Sequence, residues 1–166
     1  MTDRLGHVVT RLNEGRQQTL AFFHTLEPEQ WDIQVYDVGP EWDVRHVLCH
    51  FISAEQAHFR LFKNVASGGE GAPADFDIDG FNASDVPRLD EHQVAELLTQ
   101  FSDTRTTLVK FVEGLSEADL ERVGRHPFLG QVALGTMIKM IYRHNMLHQR
   151  DIQQAIQSGQ PVPSTD

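Results

Sequence analysis

The sequence predicts an all-α protein, a four-helix bundle with one long crossover connection, and three observations carry that expectation. Apolar residues recur at helical spacing in four stretches of similar length. One connection, residues 67–89, is the longest of the three and holds several Gly, Pro and Asp residues. Long strictly alternating segments, the mark of half-buried strands, are absent, although a short strand pair near Trp31 to Val38 fits at the periphery.

Leu5, Val8, Val9, Leu12, Leu20, Phe23 and Leu26 define the first helix, about residues 3–26, which stops before Pro28. Residues 29–41 hold Gly39 and Pro40 and read as a connector. Asp43 can then cap a second helix, about 43–66, whose apolar face is Val44, Val47, Leu48, Phe51, Ala54, Leu61, Phe62 and Val65. Residues 67–89 show no sustained apolar period, which suits a crossover and permits parallel neighbours. The third helix, about 90–114, is marked by Val94, Leu97, Leu98, Phe101, Leu108, Phe111 and Val112. A short turn over 116–123 and a loop over 124–130, holding His126-Pro127, lead to a fourth helix over 134–158, with Gly159 placed to terminate it.

A chain of 166 residues fits one domain spanning 1–166, and 40% hydrophobic with 23% charged residues suffices for a core without disulfides or a structural metal. Fourteen Lys and Arg against 24 Asp and Glu give a net charge of −10, which repels phosphate backbones and argues against a nucleic-acid partner. The single cysteine, Cys49, cannot form an internal disulfide, and the opening residues lack a secretory apolar core, so a cytoplasmic location is the default expectation. No apolar run approaches the roughly 20 residues that span a bilayer, so no membrane partner is expected.

Nine histidines are present, and position must separate them. On the fourth helix, Met137, Met140, Ile141, Ile152 and Ala155 form an apolar stripe with His144 and His148 near its middle, so both imidazoles face the bundle interior. Four residues apart, they lie one above the other and can share one ion. Without a metal, two adjacent buried imidazoles each require hydrogen-bond partners and cannot both be charged. A third ligand must come from elsewhere, and the second helix offers His46, His50 and His58. Its periodicity favours His58 or His50 and does not choose between them.

Trp42-Asp43-Val44-Arg45-His46-Val47-Leu48-Cys49-His50-Phe51 resembles the W-x-V-R-x-V-L-x-H-L segment of the DinB superfamily, the DinB/YfiT-like metalloenzymes. His144-Asn145-Met146-Leu147-His148 is similar to that family's closing H-x-x-x-H helix, and Asp79-Gly80-Phe81-Asn82 and Gly124-Arg125-His126-Pro127-Phe128 resemble segments of one bacterial subgroup. The resemblance implies a homodimeric four-helix bundle with an open site in which three histidines hold zinc, nickel or another divalent ion. Carried over residue by residue, it assigns His50, His144 and His148 as ligands. It also implies a metal-dependent hydrolase or a transferase that uses a low-molecular-weight thiol, with an unknown small-molecule substrate.

Three neutral imidazoles leave a coordination position open, which suits either lowering the pKa of water toward ~7 or binding a thiolate or substrate oxygen. Asp151 shares the face of His144 and His148, one turn on, and is the candidate catalytic residue, able to orient a ligand or handle a proton; the bland alternative is a solvated carboxylate. Glu55, one turn beyond Phe51, reads as a surface residue, the alternative being that it approaches the site from the second helix. Asn82 and His126 either line the pocket mouth or merely form turns. Cys49 reads as a packed thiol, Met137 and Met140 as core, and Trp31 and Trp42 as anchors of the connector. The rival class of function is a non-catalytic dimeric module that binds a metal or ligand; an open cavity at the histidines favours the enzyme, and a filled one the scaffold.

Overall fold

The computed structural model describes residues 3–164. Five helices are present: α1 (Arg4–His24), α2 (Val44–Ala66), α3 (Ile78–Leu89), α4 (Val94–Glu113) and α5 (Leu134–Ser158), with the hairpin β1 (Val123–His126) and β2 (Gly130–Ala133) between α4 and α5. Local chemistry sets the helix ends. Asp3, Asp43 and Asp77 each accept a backbone N–H from three residues on, at 2.8, 2.8 and 2.9 Å, satisfying donors that the first turn leaves open. At the far end of α5, Gly159 takes φ +66°, a left-handed conformation that stops the helix.

The bundle proper is α1, α2, α4 and α5. Helix α1 packs on α4 and α5, and α2 packs on the same two, so α1 and α2 occupy opposite corners. Side-chain pairs give the directions. Phe51 meets Phe101, Glu55 meets Arg105 and Phe59 meets Phe111, so α2 and α4 run parallel. Arg11 lies over Tyr142 and Thr19 bonds Gln149, so α1 and α5 are parallel as well. The expected crossover thus delivers α4 alongside α2 in the same direction.

Two apolar clusters fill the interior. One gathers Phe23, Trp31, Phe51 and Phe101, the other Leu12, Phe62, Leu108 and Met137. Between them, one on each bundle helix, lie buried polar residues: Thr19 on α1, Glu55 on α2, Arg105 on α4 and Asn145 on α5.

Two segments differ from expectation. The crossover contains α3, capped by Asp77 and burying only Asn82 and Val86; one pair four residues apart is too short a stripe to register as a period. The expected loop over 124–130 is mostly a β-hairpin, with Gly124 opposite Val132 and His126 opposite Gly130. This hairpin is tied to the loop after α2, where Arg125 N–H donates to the Glu70 carbonyl and Ala72 N–H to that of Arg125, each at 2.8 Å. Gly71 makes that contact feasible: it has φ +91°, and a Cβ there would lie 2.5 Å from the Arg125 backbone. The joined loop and hairpin form one wall of a cavity.

Candidate metal centre

His50 on α2 and His144 and His148 on α5 come together, one nitrogen of each within 4.8 Å of the others. Nε2 of His144 lies 3.0 Å from Nε2 of His50 and 3.0 Å from Nε2 of His148. That spacing is close to the edge of about 3.3 Å expected for a tetrahedron built on ~2.05 Å zinc–nitrogen bonds. Nitrogen lone pairs converging in this way repel unless a proton or a cation lies among them, so the donor set fits a divalent ion that favours imidazole. His50 and His148 are almost fully buried, while His144 is partly open to the cavity.

The histidine rings are held from behind. Trp42 lies against His50, ring centroids 4.7 Å apart, and Phe51 lies 5.7 Å from His148. The Tyr36 hydroxyl is 2.5 Å from Nδ1 of His148 and donates to Oδ2 of Asp151 at 2.8 Å. With its proton committed to the carboxylate, the tyrosine oxygen accepts from Nδ1–H of His148, which leaves the lone pair of that ring on Nε2, facing the other two histidines. Asp151 therefore meets His148 through Tyr36. Tyr36 itself was missed: it lies in the connector read as peripheral, and the extended segment from Gln34 to Tyr36, paired with Asp43 and Val162, carries it under α5.

The remaining candidates separate cleanly. His46 stays at the α2 N-terminus, its Nδ1 2.7 Å from the Asp43 carboxylate, away from the cluster. His58 pairs with His126, the two Nε2 atoms 2.9 Å apart. Nδ1 of His58 faces the Ala54 carbonyl at 2.7 Å and carries its proton; Nδ1 of His126 accepts the N–H groups of Phe128 and Leu129 at 3.1 and 3.2 Å. The only arrangement that satisfies both neutral rings has Nε2–H of His126 donating to Nε2 of His58. Burial, reinforced by the neighbouring imidazole of His126, pushes His58 down to about 3; burial, then His144, pushes His126 down to about 4.

Glu55 corrects the sequence reading. It is not a surface residue but 2% exposed, with Oε2 accepting from Nε of Arg105 at 2.9 Å and Oε1 from Nη2 of Arg105 and Nδ2 of Asn145. A carboxylate reads as solvated unless its cation is known, and Arg105 lies fifty positions away on α4. Cys49 is a packed thiol as expected, and burial raises it to about 12. Met137 is core, but Met140 lines the cavity, as do Asn82 and His126.

That cavity, about 570 Å³, begins at His50 and His144 and is within the range of small-molecule sites. Among the described residues no helix is long and apolar enough to cross a membrane.

The DinB superfamily model matches residues 11–152, and the chain belongs to that family. Among solved structures, YfiT from Bacillus subtilis, described as a probable metal-dependent hydrolase with an unusual four-helix bundle topology, aligns with a TM-score of 0.74 at 14% identity over 96% of this chain and 91% of that one. The mycothiol-dependent maleylpyruvate isomerase aligns with a TM-score of 0.74 at 14% identity over 92% of this chain, which spans 63% of the isomerase. At such identities the likeness is one of fold. Comparison with curated proteins returned no match.

Proposed function

We propose that this DinB-superfamily protein holds one divalent ion, zinc or nickel, through His50, His144 and His148 and acts on a small molecule by hydrolysis or thiol-dependent transfer. The observation that carries this reading is the convergence of three imidazole nitrogens at one end of an open cavity. An open cavity supports catalysis over the scaffold alternative. In this reading the chain is a single domain, as its length of 166 residues suggests, a homodimer, as the family resemblance implies, and cytoplasmic, the default for its composition.

A bound divalent ion supplies Lewis acidity toward an oxygen or sulfur atom of the small molecule. The chain's own residues do the rest. His50, His144 and His148 offer neutral nitrogens and so add no charge to oppose the ion. Tyr36 and Asp151 fix the tautomer and tilt of His148, which makes Asp151 a positioning residue. Cys49, buried and held as the thiol, takes no part, so any reacting sulfur comes from a separate molecule.

Metal analysis of protein purified without a histidine tag tests the reading. About one zinc or nickel per chain is expected, and none in the His144→Ala/His148→Ala double variant, which should keep its helical circular dichroism because the apolar clusters do not depend on the ion. His50→Ala should weaken binding severely, while His46→Ala and His58→Ala leave it within a few fold. Unchanged stoichiometry in the double variant would refute the site. Because protons compete for the same nitrogens, the thermal stabilisation given by added zinc should shrink between about pH 7.5 and 5.5.

A further inference from the structure

The cavity that starts at the histidine cluster runs on along α2, lined in turn by His50, Ala54, Ala57, Leu61 and Asn64. From His50 to Arg60 is ten helix positions, a rise of about 15 Å. The middle of this trough offers a ligand little polarity. His58 and His126 both line it, but their ring nitrogens are spent on each other and on backbone groups, and neither ring is charged near neutrality. Phe76, Phe81, Phe128 and Leu147 complete apolar walls. Three of these are large apolar side chains held partly in solvent, Phe76 at 37%, Leu147 at 49% and Phe128 at 64% exposed, on three separate segments that meet at the cavity.

One unpaired charge breaks the pattern, for Glu55, which also lines the cavity, is held by Arg105. Arg60 is the only Lys or Arg among the described residues lining the cavity, is exposed, and makes no ion pair among the described residues, in a chain whose net charge is −10. A cation left uncompensated beside apolar walls, about 15 Å from the histidines, is placed to meet the far end of a long anion.

We propose that the cavity binds an elongated amphiphile, with a metal-coordinating head at His50, His144 and His148, an apolar body along α2, and an anionic terminus at Arg60. This rests on the metal reading above for the head alone. A fully polar molecule would leave the apolar walls wet, and a short diacid would not span from the histidines to Arg60.

The test is isothermal titration of zinc-loaded protein with 3-mercaptopropionic, 6-mercaptohexanoic and 11-mercaptoundecanoic acids, and with 11-mercaptoundecanol as the uncharged match. Affinity should climb along the acid series, by about 100-fold overall if part of the roughly fourfold gain per buried methylene is realised. The longest acid should bind about three- to tenfold more tightly than the alcohol, and Arg60→Gln should erase that preference while leaving zinc content intact and the apolar part of the chain-length dependence in place. Phe128→Ser and Leu147→Ser, both at exposed positions, should flatten the length series. Zinc bound at full stoichiometry with a flat series would overturn this proposal and leave the metal site standing. An acid preference that survives Arg60→Gln would overturn the anionic end. Failure to load zinc would sink the metal reading, and with it the head assignment, whatever the acids do.

Discussion

Glu55 and His50 stand five positions apart on α2, each at most 3% exposed, and their polar surroundings are built on opposite plans. Around Glu55, donors meet acceptors: two nitrogens of Arg105 and the amide of Asn145 fill the carboxylate, and the remaining Arg105 nitrogen Nη1 donates to the Leu12 carbonyl at 2.9 Å. Around His50, like meets like, three imidazoles turned toward one another where His50 and His144 line one end of a cavity. The first cluster closes on itself and ties α1, α2, α4 and α5 together. The second gathers nitrogens that share a proton or a cation placed among them. Burial and polarity are shared by both; complementarity of the groups separates a structural network from a site.

The strongest way to break the comparison is to unbalance the closed cluster. Glu55→Ala leaves the Arg105 guanidinium, 0% exposed, without its counter-charge, and should cost about 3–5 kcal/mol of stability in chemical denaturation. A loss under 1 kcal/mol would mean that the ion pair does not hold the bundle. By contrast, alanine at His144 and His148 should cost metal but little fold.

A smaller effect should come from behind the histidines. Tyr36→Phe removes the hydroxyl that links Asp151 to His148 while keeping the ring packed against Trp42. Zinc affinity should fall about 10- to 100-fold, with Asp151→Asn falling less and thermal stability of the metal-free protein changing little. Equal affinity in Tyr36→Phe would show that the tautomer of His148 is set elsewhere.

The mildest perturbation is acid. Both His58 and His126 are pushed below the ordinary imidazole value, to about 3 and about 4, so between about pH 6.5 and 4 the unfolded chain binds more protons than the folded one. Their contribution to stability is therefore full above about pH 7 and is lost as pH falls through that window. Metal-free wild type should lose thermal stability across it, and His58→Phe/His126→Phe should lose less, since it removes the two groups that must stay neutral. Parallel curves for the two proteins would place the acid sensitivity in other groups.

Much of the fold was legible along the chain. The last helix runs over the predicted residues, Leu134–Ser158, because its apolar period is continuous and Gly159 ends it; α2 begins where Asp43 can cap it. The same period placed His144 and His148 on the interior face. It left His50 and His58 undivided, because a helical wheel gives a direction around one axis and not the height at which a neighbouring helix crosses. Family resemblance supplied that choice, and the packing of α2 against α5 shows its reason: His50 is level with His144 and His148, while His58, two turns on, meets the hairpin residue His126.

What the sequence by itself determined is what depends on near neighbours: the helices, their caps, their apolar faces, and the pairing of two histidines four residues apart. What only the tertiary structure decided is every relation between distant segments. Tyr36 reaches His148 because the connector is pinned beside Asp43 and Val162; Glu55 is buried because Arg105 lies opposite on a parallel helix; His126 reaches His58 because Gly71 lets the hairpin approach the loop after α2. The physical reason is common to all three. A polar side chain carries no periodic signal of its own, and its burial is decided by a partner whose position depends on how the whole chain packs.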